Sequence, residues 1–182
     1  MKVSAAILSL ALGALVGGCA DSSGAGPGAK PGQGIATAPA KGSVNGTVWQ
    51  LANATYRISK SRDGSESYSL TFRTEGSVSS SNPCAFQGPP DTAQIFAIAP
   101  AARGTYAFPD ASITFSYVKD GTYHNDIPGD AVVVILSEIG TQLNGQIKGS
   151  FGISSVEGSF SAQRCNAEDQ VDRSVPAPPP GE

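Results

Sequence analysis

His124 is the only histidine of the 182-residue chain, and Asp120, Asp126 and Asp130 lie within six positions of it. Two chemistries can be built from such a set. A Ser-His-acid arrangement needs a histidine to take the serine proton, and serines are plentiful here. Alternatively, Asp120, Asn125, Asp126 and Asp130 offer oxygens of the kind that calcium collects in sets of six to eight. Local sequence speaks against both. No G-x-S-x-G elbow occurs, and no D-x-[DN]-x-[DN]-G run ends in glutamate. Gly121, Asn125, Pro128 and Gly129 are turn formers, so 119–130 reads as a solvated loop between two strands. Zinc fits worse, with one histidine and no C-x-x-C. Glu138 and Glu157 fall near strand ends and are the least trivial acids for a glycosidase-like carboxylate pair. Trp49, Tyr117 and Tyr123 are the aromatics that could mark a carbohydrate or protein surface, although Trp49 fits better as a core residue. With no phosphate loop, dinucleotide fingerprint or haem motif either, the expectation is no catalytic, cofactor or metal site, and no enzyme.

Three cysteines remain to be explained. The chain starts with Met1-Lys2, continues with a twelve-residue apolar stretch from Ala5 to Val16, and reaches Gly17-Gly18-Cys19. That layout is a secretory signal peptide. It is too short to span: twelve helical residues reach roughly 18 Å against a hydrocarbon core of about 30 Å. The stretch Leu15-Val16-Gly17-Gly18-Cys19 resembles the lipobox of bacterial lipoproteins. The resemblance implies that residues 1–18 are removed and that Cys19 carries diacylglycerol and an N-acyl chain such as palmitate. The implied partner is the lipid bilayer. Two or more chains would hold firmly, at about 0.8 kcal/mol per buried CH₂. Such proteins stay at the inner membrane when Asp directly follows the lipidated cysteine; here Ala20 follows, which implies the outer membrane. Assigning Cys19 to lipid leaves Cys84 and Cys165. In an oxidising compartment the pair reads as a disulfide, with two free thiols or a metal pair as the unsupported alternatives. Closing about 80 residues would contribute roughly 4 kcal/mol in the chain-entropy account.

Composition sets further bounds. Removing residues 1–18 deletes Lys2 and no acid, so the net charge of −3 becomes −4. Nucleic acid needs a basic patch and is not an expected partner. Fifteen per cent charged residues, 22 glycines and 13 prolines suit a loop-rich β domain with flexible ends. The chain divides into the signal (1–18), the lipidated cysteine and a Gly/Ala/Pro tether (19–42), one β domain (43–165), and an acidic, Pro-rich tail (166–182) expected to be disordered.

Strands must position whatever the domain uses. Ala54, Tyr56 and Ile58 alternate with polar residues, Asp63-Gly64 supplies a turn, and Tyr68, Leu70 and Phe72 alternate again, which predicts a hairpin. Further strands are predicted at 94–99, 105–108, 113–117, 131–136, 143–151 and 156–163. The unbroken apolar run from Ala131 to Leu136 suits a central strand. Gly145, Gly149, Gly152 and Gly158 could supply bends. Asn45-Gly46 and Asn144-Gly145 could mark tight turns. The likeness of the segment from Gly145 to Phe151 to that from Val156 to Phe160 suggests paired strands. The predicted class is all-β, a single antiparallel sandwich of about eight or nine short strands, with a small lipocalin-like barrel as the alternative. Residues 43–165 are similar to the small β domains of uncharacterised bacterial lipoproteins, through Gly104-Thr105-Tyr106 in mid-domain and Gly158-Ser-Phe-Ser-Ala-x-x-Cys165 at its close. The resemblance implies no particular activity. The expected role is a membrane-anchored, non-enzymatic binding or structural module of the envelope. The alternatives are a carrier of an apolar small molecule or a hydrolase.

Overall fold

The structure, a computed structural model, describes residues 34–77, 82–85 and 92–166. The signal segment, Cys19, the first part of the tether and the tail after Asn166 lie outside the described residues. Eleven strands are present: β1 (Lys41–Val44), β2 (Thr47–Gln50), β3 (Asn53–Lys60), β4 (Glu66–Arg73), β5 (Gln94–Pro100), β6 (Gly104–Ala107), β7 (Ser112–Lys119), β8 (Thr122–Asp126), β9 (Val132–Ile139), β10 (Gln142–Phe151) and β11 (Ser154–Arg164). Among the described residues there is no helix.

All strands belong to one sheet, ordered β6-β9-β10-β11-β3-β4-β5-β7-β8, with β1 on β11 and β2 on β1. The class is all-β, as predicted. Eleven strands replace the expected eight or nine, and the sheet is mixed. β11 runs parallel to β3, with Ala162 opposite Ala54 and Arg164 opposite Tyr56, while the other strand pairings are antiparallel. The sheet curls into a half-barrel in which β7 approaches β9 across the core. Gly149 on β10 permits this closure. A side chain there would meet Ile113 Cδ1 of β7 at 3.0 Å and Pro128 at 3.1 Å.

Alternation decides which face is enclosed. On β3 and β4, Tyr56, Tyr68, Leu70 and Phe72 point inward and are buried. On β9 the consecutive residues Val133, Val134 and Ile135 are all buried, so this strand is covered on both faces. Trp49, Phe115, Ile95, Leu143 and Ile147 complete the interior. Each such side chain contributes about 1.5–3 kcal/mol by leaving water. Phe72 and Phe160 meet edge to face with ring centroids 5.1 Å apart.

The turns agree with the sequence reading at Asn45-Gly46 and differ from it at two other places. Asn45 and Gly46 both have positive φ (48° and 75°) and form the two-residue turn between β1 and β2. Asn144-Gly145 is not a turn. It lies inside β10 where the register against β9 shifts by a bulge, and a Cβ on Gly145 would collide with Val134 O. Residues 119–130 are not a plain loop either. Asp120 (φ 52°) and Gly121 (φ 74°) turn β7 directly into β8, which pairs along its whole length. The predicted pairing of 145–151 with 156–160 is present, with Gly145 opposite Phe160.

The folded region also begins before residue 43. Residues 36–40 form a strap along β11: Ala36 N donates to Glu157 Oε1, Ser159 N donates to Ala38 O, and Ala40 N donates to Ser159 O. Pro39 bridges Ser159 in the parallel sense. Ile35 and Ala40 are buried. The strap crosses at Gly158, where a Cβ would stand 2.5 Å from Ala40 Cα. Apolar Ile35 was too isolated in a Gly/Ala/Pro stretch to signal this packing.

Candidate functional site

The best-built polar cluster sits at the end of the half-barrel where β11 finishes. Glu138, near the end of β9, receives a hydrogen bond on each carboxylate oxygen: Tyr56 Oη donates to Oε1 and Tyr68 Oη to Oε2, both at 2.6 Å. Tyr56 and Tyr68 are neighbours on β3 and β4, with rings edge to face at 5.6 Å. Two strands, β10 and β11, separate β9 from β3 in the sheet. The three side chains therefore tie together parts of the sheet that share no backbone pairing. Hydrogen bonds from the two tyrosines, opposed by partial desolvation and helped by Arg164, hold the Glu138 carboxyl below its ordinary range. Burial first, then the bond to Glu138, pushes the Tyr68 hydroxyl up to about 12 and moves Tyr56 further in the same direction. At neutral pH the cluster is one carboxylate clamped by two neutral phenols. A carboxylate with both oxygens occupied is a poor proton donor or nucleophile.

Beside this cluster a groove of about 440 Å³ opens between Arg57, Ser59 and Ser69 on one side and Arg164 and Asn166 on the other. Arg57 and Arg164 are exposed and give the groove the chemistry of an anion site, since guanidinium groups match carboxylate and phosphate geometry. Cys165 lines it and ties it to the disulfide. Cys84 and Cys165 are joined, with Cα atoms 5.7 Å apart, and Cys165 N donates to Tyr56 O. Arg73, buried on β4, donates from its Nη1 to Pro83 O at 3.2 Å and steadies the segment carrying Cys84. Burial lowers its pKa, with Arg57 adding to the shift.

The residues singled out in the sequence fall in different places. His124 stacks on Tyr117, with centroids 5.2 Å apart and planes 11° apart. Tyr117 Oη donates to Asp126 Oδ2 at 2.9 Å. Asp130 accepts from Ser150 N and Ser150 Oγ. Asp126 and Asp130 are thus engaged separately, and among the described residues no three His, Cys, Asp or Glu side chains gather as a metal site. Glu157 pairs with Lys148 at 3.4 Å. Glu138 lies level with Ala162 through Leu143, five residues further along β11 than Glu157. At about 3.3 Å per residue the two acids are roughly 17 Å apart along the sheet, too far for a glycosidase pair. Trp49 is in the core with 2% exposure, whereas Tyr123 is 65% exposed on β8. Sequence reasoning noted Glu138 but missed its tyrosines and both groove arginines, because the partners come from strands 70 to 82 positions away.

No family model matches the chain, and neither a curated protein nor a solved structure shows significant similarity to it. The two short motifs behind the resemblance to lipoprotein β domains have structural roles. Gly104-Thr105-Tyr106 lies in edge strand β6, where Tyr106 Oη donates to Ala102 O. The segment from Gly158 to Cys165 is the half of β11 that accepts the strap, packs Phe160 on Phe72 and ends at the disulfide.

Proposed function

We propose that the chain is an envelope lipoprotein, anchored to the outer membrane through acylated Cys19, whose domain is a non-enzymatic binding module. The observation that supports this most directly is the pairing of Cys84 with Cys165. A disulfide belongs to an oxidising compartment, as the signal segment requires. It also leaves Cys19 with no cysteine partner in the chain, as a lipidated residue requires. The groove of Arg57 and Arg164 is the ligand surface in this reading, and the ligand is an anionic envelope component. The interior is filled by Trp49, Tyr56, Phe72, Phe115 and their neighbours, which favours a solid binding module over a carrier with an internal cavity.

The test is fractionation of intact cells carrying the wild-type chain or Cys19→Ser, with mass analysis of the N-terminal peptide. Wild type is expected in the outer membrane with a diacylglyceryl adduct on Cys19. The variant is expected in the soluble fraction with its disulfide intact. An unmodified Cys19, or a variant that misfolds, would show that anchor and domain are not separate as proposed.

A further inference from the structure

Val48, Phe151 and Ile153 are exposed by 87%, 48% and 67% respectively. The strand registers place all three at one end of the domain. Val48 is level with Ser43 and, through it, with Ser155. Phe151 and Ile153 flank Gly152 in the turn from β10 to β11. The two turns are packed together: Ser43 Oγ donates to Ile153 O, Asn45 N donates to Ser154 Oγ, and Gly46 lies directly against the Ile153 side chain. A shallow groove of about 470 Å³ runs from Val48 and Trp49 toward the strap at Ala36, with Lys41, Gln50 and Glu157 along it.

The strap shows which way this end faces. It runs in the direction of β11, from Ala36 beside Glu157 to Pro39 beside Ser159. Its upstream end therefore points toward the start of β11, where Phe151 and Ile153 stand. The chain between the anchor and the domain leaves from the end that carries the exposed apolar side chains. Cys19 lies fifteen positions before Gly34, so the link spans at most about 50 Å when fully extended. Charges at this end balance, Lys41 and Lys148 against Glu157 and Asp130, with Lys148 paired to Glu157, so contact needs no excess of anionic lipid.

We infer that this end of the half-barrel, through Val48, Phe151 and Ile153, rests on the bilayer surface to which Cys19 is attached. The inference rests on the lipid-anchored reading above. Tethering converts a weak apolar contact into an intramolecular one, so three side chains suffice where a free domain would bind only marginally. Docking at this end turns the Arg57–Arg164 groove, at the far end of β11, away from the membrane.

The test is methyl NMR of the lipidated protein beginning at Cys19 in bilayer nanodiscs of phosphatidylethanolamine and phosphatidylglycerol doped with a headgroup spin label. The Val48 and Ile153 methyl signals should be lost, while those of Ile98 and Ile139, which are also exposed but lie level with Ser69 and Gln142 toward the other end, persist. Equal persistence, or loss at Ile98 or Ile139 instead, overturns the docking and leaves the anchor standing. Val48 and Ile153 signals that shift with protein density without being quenched identify a second copy as the occupant, and also overturn it. Protein that never associates with the nanodiscs overturns the anchor and the docking together.

Discussion

Replacing Tyr68 by phenylalanine removes one of the two hydroxyls that hold Glu138 and leaves the ring against Tyr56. Tyr68 is 4% exposed, and the bond it loses goes to a charged acceptor at 2.6 Å. Such bonds contribute about 1.5–3 kcal/mol, but Glu138 regains water on its exposed side, so the expected loss at neutral pH is about 1–2 kcal/mol. The alkaline limb is more diagnostic. In the folded chain Tyr68 keeps its proton up to about 12, against an ordinary value of 10. Its stabilising effect is therefore complete below pH 10 and is lost as pH rises toward 12. At 1.36 kcal/mol per pH unit this amounts to roughly 3 kcal/mol, and Tyr56 adds a loss of the same sign. The assay is urea unfolding at about pH 7 and about pH 11, followed by fluorescence of Trp49, the only tryptophan, in a Cys19→Ser background with no free thiol. Tyr68→Phe should be less stable than its parent at neutral pH and lose less stability on going alkaline. If parent and variant fall equally, the folded chain does not hold the Tyr68 proton beyond its ordinary range, and neither burial nor the clamp on Glu138 acts as described.

Two further perturbations read other parts of the fold. Cys84→Ser with Cys165→Ser removes a link between residues 81 positions apart, and stability to urea should drop by about 4.5 kcal/mol in the chain-entropy account; a drop below about 1 kcal/mol would mean that the open chain is already constrained. Gly158→Ala places a Cβ 2.5 Å from Ala40 Cα at a φ of 145°, so the strap should lift, at a cost of about 1–3 kcal/mol. Hydrogen exchange should then show lost protection at Ala40 and Ser159 with β3 to β5 unchanged, and intact protection at Ala40 would show that the strap tolerates the side chain.

The sequence carried most of the strands because burial on one face leaves a two-residue period, as in Tyr56 to Ile58 and Tyr68 to Phe72. It failed where pairing rather than burial makes the strand. β8 is Thr122, Tyr123, His124, Asn125 and Asp126, an edge strand with no apolar face; the Asp120-Gly121 turn and the exposed backbone of β7 form it. Asn144-Gly145 resembles a hairpin turn, but Gly145 serves instead to let β9 and Phe160 approach. The parallel pairing of β11 with β3 joins residues over 100 positions apart and leaves no local trace. The Glu138 clamp is invisible for the same reason, since an acid and two tyrosines on three strands carry no common spacing.

The position of β11 at the centre of the sheet has a consequence for when the chain can close. β11 meets β10 along one side, β1 and then β3 along the other, takes the strap at Ser159, and delivers Cys165 to its disulfide. It is also the last of the described strands. A chain made from its N-terminus holds two unjoined halves until residue 165 emerges, with the strap and β1 lacking the surface on which they fold. The order of synthesis itself delays closure, and the half-barrel can form only once the whole of β11 is available.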